Sequence, residues 1–172
     1  MAPGHVCTVT GLEPYEYISD RYNVPIVVTG FEPMDLAMGL LKLVESLVSG
    51  ENKVSNEYRR SVKLKGNKNA IAIMDSVYEV VDQSWRGLGV IPGSGFALRE
   101  EYQQFDVEKK ILITQENDKN EYDECISGSI LTGTKKPYEC ALFDVECTPE
   151  HPKGATMVSS EGTCAAYYKY KR

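Results

Sequence analysis

The 172-residue sequence lacks the segments that would direct a chain into or across a membrane. No apolar run approaches the roughly 18 residues that a membrane-spanning helix needs. The first residues, MAPGHVCTVTG, contain no basic segment followed by a long apolar core, so a secretory signal peptide is not predicted. We therefore expect a cytoplasmic protein that has no membrane partner.

The sequence also has fewer basic than acidic residues, with 19 Lys and Arg against 25 Asp and Glu and a net charge of -6. Nucleic acids attract basic surfaces, so this balance argues against nucleic acid as the main partner. Only two histidines are present, and no Ser-His-Asp or Cys-His pairing is recognisable. The glycine-rich stretch GLGVIPGSG lacks both GxGxxG and a Walker lysine. These absences disfavour a nucleotide-dependent or nucleophilic enzyme.

The first part of the chain has the pattern of an α/β domain. The apolar run VPIVVTG predicts a strand that is buried on both faces, and the leucine spacing in FEPMDLAMGLLKLVESLVSGE predicts an amphipathic helix directly after it. We also expect strands at HVCTVT and KVSNEYRRSVKLK, helices at EPYEYISDRY, NKNAIAIMDSVYEVVDQSW and REEYQQFDVEKKILI, and a glycine-rich loop leading into a short strand at RGLGVIPGSGFAL. Residues 1–113 should thus form a partial, mostly parallel sheet with covering helices.

The character of the sequence changes after the polar, turn-rich stretch TQENDKNEYDE, which we predict to be a linker. Glycine, proline and cysteine become more frequent, and no long periodic segment appears. Four of the five cysteines fall in this last part of the chain. We therefore expect residues 114–172 to form the linker and a small cysteine-rich lobe that a metal organises.

The candidate metal ligands are the four cysteines of this lobe. In a reducing compartment, clustered cysteines indicate metal or redox chemistry before disulfides. Their spacing provides neither the C-x2–4-C knuckle of structural zinc nor the C-x2-C-x2-C run of bacterial ferredoxins. Four well-separated cysteines, each on its own turn, suit an iron–sulfur cube such as [4Fe-4S]. Reduced structural thiols and disulfides are the alternatives. The candidate ligands are Cys125, Cys140, Cys147 and Cys164.

Three acidic residues and the remaining cysteine complete the set of candidates. Glu32 and Asp35 follow a predicted strand and open a helix, a position where ligands often bind, so they could face an iron ion or a partner. A plain helix start with acids favoured by the helix dipole is the alternative. Glu161 could act as a hydrogen-bonding or proton-carrying neighbour of the cluster, or as part of a helix cap formed with Ser159. Cys7 lies in an apolar pattern and is predicted to be a core residue.

Several blocks of the sequence resemble the hydrogenase maturation protein HypD family. PGHVCTVTG, VVTGFEPMDL, NEYRRSVKLKGN and WRGLGVIPGSGF follow one another as in that family, and CISGSILTGTKKPYECALFDVECTPEHPKGATMVSSEGTCAAYY resembles its C-terminal segment. The resemblance covers essentially the whole chain. It implies a non-enzymatic scaffold that works with HypC to assemble the Fe(CN)2CO centre of [NiFe] hydrogenases, with cyanide delivered by HypE.

The resemblance also implies a cofactor and a missing part. Members of the family hold a [4Fe-4S] cluster on C-terminal cysteines, which correspond to the four candidate ligands here, and their complex carries an iron ion. The family chain is much longer, and its N-terminal half contains Cys-Gly-Thr-His-Glu and Pro-Gly-Cys-Pro-Val-Cys motifs that do not occur here. We therefore expect a C-terminal portion that cannot assemble the iron centre alone and that exposes apolar surface or forms a dimer. A zinc-stabilised interaction module without a redox role is the alternative.

Overall fold

The structure, a computed structural model, describes residues 1–111 and 124–170. The chain divides into two compact units, Met1–Val77 and Tyr78–Arg172. The predicted boundary between residues 113 and 114, and the predicted linker up to residue 123, lie outside the described residues. Within those residues no helix is long and apolar enough to cross a membrane.

A three-stranded parallel sheet forms the centre of the first unit. Its strands lie in the order β1-β2-β3, and their bounds are β1 Ala2–Pro3, β2 Ile26–Thr29 and β3 Val54–Asn56. Ala2 pairs with Val28, and Ile26 pairs with Val54. Val27 and Val28 are fully buried, as expected of a strand that is covered on both faces. The predicted partial parallel sheet with helices is confirmed, although β3 is shorter than the predicted strand.

Four helices accompany this sheet: α1 Gly4–Thr10, α2 Glu13–Tyr22, α3 Pro33–Ser49 and α4 Lys68–Val77. The predictions of α2 and α3 are confirmed, and both carry proline in the first turn, where its missing N–H is not needed. α3 ends at Gly50, whose positive φ of 72° suits a left-handed helix cap. Several apolar side chains of α3 are exposed, namely Met34, Leu36, Met38, Leu40, Leu41, Val44, Leu47 and Val48.

The strand predicted at HVCTVT is wrong, because these residues form α1. The preceding strand ends at Pro3, and the backbone of Gly4 then packs so tightly that a Cβ there would lie 2.6 Å from the carbonyl oxygen of Thr29. The chain turns at once into a helix that buries Cys7 against Val28 and Val62. Tertiary packing thus overrides the β-propensity of a short β-branched run. The prediction that Cys7 is a core residue is confirmed, since its exposed fraction is 0%.

The long helix predicted at NKNAIAIMDSVYEVVDQSW is correct only as far as α4. The chain continues as β4, Tyr78–Trp85, which pairs antiparallel with β5, Gly89–Leu98, in the second unit. Gly87 and Gly89 have φ of 82° and 74°, which permits the tight turn between the strands. The apolar spacing after Val77 fits both helix and strand, and the pairing with β5 decides between them. The glycine-rich loop predicted near residue 90 is therefore part of a strand.

Short elements make up the remainder of the second unit. A 3-10 helix at Glu100–Phe105 precedes α5, Val107–Lys110, where one short helix was predicted. The later helices are α6 Ser127–Leu131, α7 Ala155–Val158 and α8 Thr163–Tyr170. The longest of these has 8 residues, in agreement with the predicted lack of long periodic segments. Ile130, Leu142, Met157 and Ala165 are the apolar residues buried among them.

Candidate metal centre

The four cysteines of the second unit share one apolar core. Cys147 and Cys164 are each 6% exposed and belong to the buried cluster around Met157. Cys125 and Cys140 are half-buried and pack against the same cluster. Residues that lie up to 39 positions apart in the sequence, from Cys125 to Cys164, are therefore brought to one region of the unit.

The two half-buried cysteines lie next to short helical elements. Cys140 ends the 3-10 turn Pro137–Glu139, and its N–H donates to the carbonyl oxygen of Pro137 at 3.1 Å. Cys125 lies just before α6, and its sulfur faces the backbone of Gly154. A Cβ at Gly154 would lie only 2.5 Å from Cys125 Sγ, so any larger residue there would displace the sulfur.

The two buried cysteines receive polar contacts at sulfur. The N–H of Lys153 donates to Cys147 Sγ at 3.3 Å, and the hydroxyl oxygen of Thr156 lies 2.9 Å from Cys164 Sγ. A tight turn holds Cys147, whose N–H donates to the carbonyl oxygen of Leu142 at 2.8 Å. Donors directed at sulfur favour a thiolate over a thiol, because they stabilise the charged form.

Burial has the opposite effect on Cys164. It raises the pKa of this thiol, since a buried thiolate loses its hydration, and the hydrogen bond with Thr156 offsets only part of that effect. The other three cysteines of the cluster raise the pKa of Cys164 further by charge repulsion. Four neighbouring thiolates would repel one another, so a bound cationic group is what would stabilise them together.

The pairing of the cysteines bears on one of the alternatives, a set of disulfides. All five cysteines are free in the structure, so none is in a disulfide. Within residues 1–111 and 124–170, no group of three or more His, Cys, Asp or Glu side chains is arranged to hold a metal ion. The assignment of the four cysteines as ligands therefore stays a prediction.

Glu161 lies in the turn between α7 and α8 and is exposed. Its N–H donates to the hydroxyl oxygen of Ser159 at 3.2 Å, and Ser159 is the residue that ends α7. The predicted local contact of Glu161 with Ser159 is present, but Ser159 follows one helix and does not begin the next. The role of Glu161 as a hydrogen-bonding or proton-carrying neighbour of an iron–sulfur cluster stays a prediction.

Glu32 and Asp35 lie at the carboxyl end of the parallel sheet in the first unit. Arg60, which follows β3, donates to both carboxylate oxygens of Asp35 at 2.7 and 2.6 Å and lies 3.3 Å from Glu32. The hydroxyl of Thr29 also donates to the backbone oxygen of Asp35 at 2.6 Å. Asp35 is therefore committed to an internal ion pair, whereas the Glu32 side chain is 75% exposed.

Arg60 was not among the residues that the sequence pattern indicated. Its hydrogen bonds to Asp35 hold the pKa of that carboxyl below its usual value of 3.8, because they favour the charged form. The guanidinium also lies over the Tyr58 ring, 4.5 Å from its centroid. The basic run in NEYRRSVKLK, which lies inside the strand predicted at KVSNEYRRSVKLK, was the signal that could have identified it.

Comparison with known proteins agrees with the blocks of sequence described above. The family model described as "HypD: Hydrogenase formation hypA family" matches residues 1–171. The chain belongs to the HypD family. It is 45% identical over 172 residues to a putative hydrogenase expression/formation protein of Methanocaldococcus jannaschii. It is 44% identical over 174 residues to the hydrogenase maturation factor HypD of Cupriavidus necator.

These relatives are much longer than the chain. The matches cover 100% of this chain but only 48% of the Methanocaldococcus jannaschii protein and 45% of the Cupriavidus necator protein. The chain thus spans about half the length of the curated relatives that it matches. Membership of the HypD family links it to hydrogenase formation, and the predicted family assignment is confirmed.

Proposed function

We propose that the chain is the cluster-holding part of a [NiFe] hydrogenase maturation factor. In this proposal Cys125, Cys140, Cys147 and Cys164 hold a [4Fe-4S] cluster. The observation that carries it is the common apolar core against which all four cysteines pack, although they come from separate parts of the chain. Four thiolates are the usual ligand set of such clusters.

The groups around the sulfurs fit a cluster of this kind. The N–H of Lys153 and the hydroxyl of Thr156 contact two of the sulfurs, and hydrogen bonds to sulfur tune the potential of iron–sulfur clusters. Gly154 allows the backbone to approach Cys125 Sγ closely, because a Cβ at this position would lie only 2.5 Å from the sulfur. The residues present are therefore compatible with the proposed cofactor.

The protein's own part is to exclude water and to hold the thiols in place. Met157 is 1% exposed, and Phe143 and Tyr168 pack edge to face beside it with ring centroids 6.4 Å apart. A dry, packed environment limits solvent access to the ligands and influences the potential. When bound, the cluster supplies one-electron transfer, which we propose serves thiols elsewhere in the full-length factor.

The experiment is to prepare the chain without oxygen and to measure iron, acid-labile sulfide and the visible absorption spectrum. We expect iron and sulfide in equal amounts and a broad iron–sulfur absorption. Cys140→Ser should abolish that absorption, because oxygen is a poorer ligand for the cluster than thiolate. Zinc without iron or sulfide would contradict the proposal and favour a zinc-stabilised interaction module.

The matched control is Cys7→Ala. Cys7 is a buried cysteine of the first unit and lies outside the cluster of four. Its removal should lower the stability of the first unit but leave the iron and sulfide content per chain unchanged. Equal loss of iron from Cys7→Ala and Cys140→Ser would show that the loss reflects general unfolding and not the removal of a ligand.

We further propose that HypC and HypE act with the full-length factor, HypC as the partner in assembling the Fe(CN)2CO unit with its iron ion and HypE as the source of cyanide. The surface after β2 is suited to a protein contact. Phe31 and Met34 are 64% and 70% exposed there, beside the exposed carboxylate of Glu32. An exposed aromatic next to a charged group is typical of a contact surface.

Binding of HypC to this chain tests that surface. Phe31→Ala should weaken binding by about tenfold or more, since a buried aromatic anchor commonly contributes at least that factor. Phe105→Ala is the matched control, because Phe105 is a similarly exposed aromatic in the second unit. Equal HypC affinity of the two variants and the parent chain would contradict the proposed surface while leaving the cluster proposal intact.

A further inference from the structure

A cavity of about 480 Å³ lies in the first unit between α1, residues 61–69 and the start of α4. This volume falls in the range of pockets that bind small molecules. Three lysines line it together with polar residues, and no acidic residue is among the described residues that line it. Its principal lining residues are Thr8, Ser61, Lys63, Lys65, Asn67 and Lys68.

The cavity concentrates positive charge in an acidic chain. Residues 58–74 contain five Lys and Arg and no Asp or Glu, although the whole chain has a net charge of -6. Arg60 is bound to Asp35, and Arg59 donates to the backbone oxygen of Asn56. The three lysines that line the cavity make no ion pair within the part of the chain that the structure describes.

Backbone hydrogen bonds hold the segment that carries these lysines against the residues at the end of α1. The N–H of Leu12 donates to the carbonyl oxygen of Leu64 at 2.9 Å, and the N–H of Asn67 donates to the carbonyl oxygen of Val9 at 3.0 Å. The backbones of Gly11 and Gly66 approach closely, since a Cβ on Gly11 would lie 2.6 Å from the nitrogen of Gly66. Both glycines have positive φ, 79° and 57°. A binding loop that is already ordered loses little entropy when a ligand binds.

The helix that begins at the cavity adds to its positive potential. Asn67 caps α4, since its side-chain oxygen accepts from the N–H of Ala70 at 3.1 Å. The first turn of α4 contains no acidic residue and begins with Lys68. A cation at the positive end of a helix is unfavourable by itself, whereas an anion there is favourable. The helix end and the three ammonium groups thus favour the same kind of ligand.

We propose that this cavity binds a small, multiply charged phosphate-bearing anion. Inorganic pyrophosphate and the phosphate chain of a nucleotide have the required chemistry. The three lysines neutralise its charge, and the walls formed by α1 and residues 61–69 limit its size. A concave cavity favours such a ligand over an acidic protein, which would need a broader and flatter surface. The proposal does not depend on the proposed iron–sulfur cluster. None of the residues that line the cavity is one of the four candidate cysteines or belongs to the core around them.

Calorimetric titration of the whole 172-residue chain with pyrophosphate at low ionic strength is the first test. Lys63→Gln, Lys65→Gln and Lys68→Gln should each weaken binding by about tenfold, because a charged hydrogen bond commonly contributes about that factor. Lys42→Gln is the matched control, since Lys42 lies near Glu51 and does not line the cavity. It should bind pyrophosphate within about twofold of the parent chain.

Parallel titrations with ATP and with adenosine distinguish the phosphate chain from the nucleoside. Binding of pyrophosphate and ATP but not adenosine supports the proposal. Binding of adenosine alone, or a lack of pyrophosphate binding, would overturn it. Equal weakening in Lys42→Gln and the cavity variants would also overturn it, because the effect would then come from net charge alone.

Thermal unfolding gives an independent readout for variants that lose binding. Without an anion, Lys68→Gln should have a melting temperature equal to or above that of the parent, because it removes a cation from the positive end of α4. Added pyrophosphate should raise the melting temperature of the parent and of Lys42→Gln, but not that of a variant that combines Lys63→Gln, Lys65→Gln and Lys68→Gln. An unchanged melting temperature of the parent chain in the presence of pyrophosphate would contradict the proposal.

Discussion

The two units bury cysteine in different ways. In the first unit Cys7 is the single cysteine, fully buried beside Val28 and Val62, and it forms a hydrogen bond with Tyr15. Burial and the hydrogen bond with Cys7 raise the pKa of Tyr15 to about 12, so the Tyr15 hydroxyl stays neutral at neutral pH. In the second unit four cysteines lie together, and backbone and hydroxyl groups contact two of the sulfurs. The presence of several cysteines in one core, and not a polar contact at a single sulfur, distinguishes the candidate ligands from the packing thiol Cys7.

The units also differ in what holds them together. Strand pairing and a fully buried β2 organise the first unit, so backbone hydrogen bonds and apolar burial act together. The core of the second unit is enclosed by short helices and turns, and thiols occupy much of it. Short elements have little stability of their own, so this core should depend more on a bound group.

Removal of iron should have the largest effect and should separate the two units. If the second unit holds a cluster as proposed, chelation of its iron should unfold the core around Met157 and leave the sheet of the first unit protected. Amide hydrogen exchange, read separately over residues 1–77 and 124–170, measures this difference. Equal loss of amide protection in both units, or no loss in either, would contradict the expectation that only the second unit depends on bound iron.

Val27→Ala should have the next largest effect, and it should act on the first unit. Val27 is fully buried in β2, so its truncation should lower the free energy of unfolding of this unit by about 2–3 kcal/mol through lost burial and a residual cavity. Val48→Ala is the matched control, because Val48 is 84% exposed and should change stability by only about 0.5 kcal/mol. Denaturant titration gives both values, and similar losses in the two variants would contradict the assigned core.

Gly154→Ala should act on the second unit and on its metal content together. The added Cβ would lie 2.5 Å from Cys125 Sγ, so it should lower stability by about 1–3 kcal/mol and also reduce the iron bound per chain. Gly133→Ala is the control, since Gly133 has a positive φ of 74° and open space around its Cα. It should cost stability through backbone strain but keep its iron. Equal iron loss in both variants would argue against a specific contact at Cys125.

Asp35→Asn should have the smallest effect, visible mainly as a change in pH dependence. Arg60 keeps the pKa of Asp35 below 3.8, so the stability that this carboxylate contributes is present above that pH and is lost as the pH falls further. The variant should have a lower melting temperature than the parent near neutral pH. Its melting temperature should also fall less than that of the parent when the pH is lowered below 3.8. Glu32→Gln, at the exposed neighbour of the pair, should keep the parent's pH profile of melting temperature. An unchanged acid profile in Asp35→Asn would contradict the ion pair.

Local pattern was sufficient for elements whose signals agreed. β2 combined an apolar run with a terminal glycine, and α3 combined helical leucine spacing with proline at its start and glycine at its end, so both were predicted correctly. The patterns failed where two periods fitted equally well. Residues after Val77 suited helix and strand alike, and only the partner strand β5 settled the choice.

The sequence by itself determined the family, the central strand and its following helix, and the four cysteines that form the candidate site. These follow from residue identity and from short-range spacing, which are present before the chain folds. The tertiary structure alone decided that HVCTVT is a helix, that Asp35 is paired with Arg60, and that three lysines face one cavity. Each of these depends on residues that are distant in the chain but adjacent in the fold, and no local pattern records such contacts.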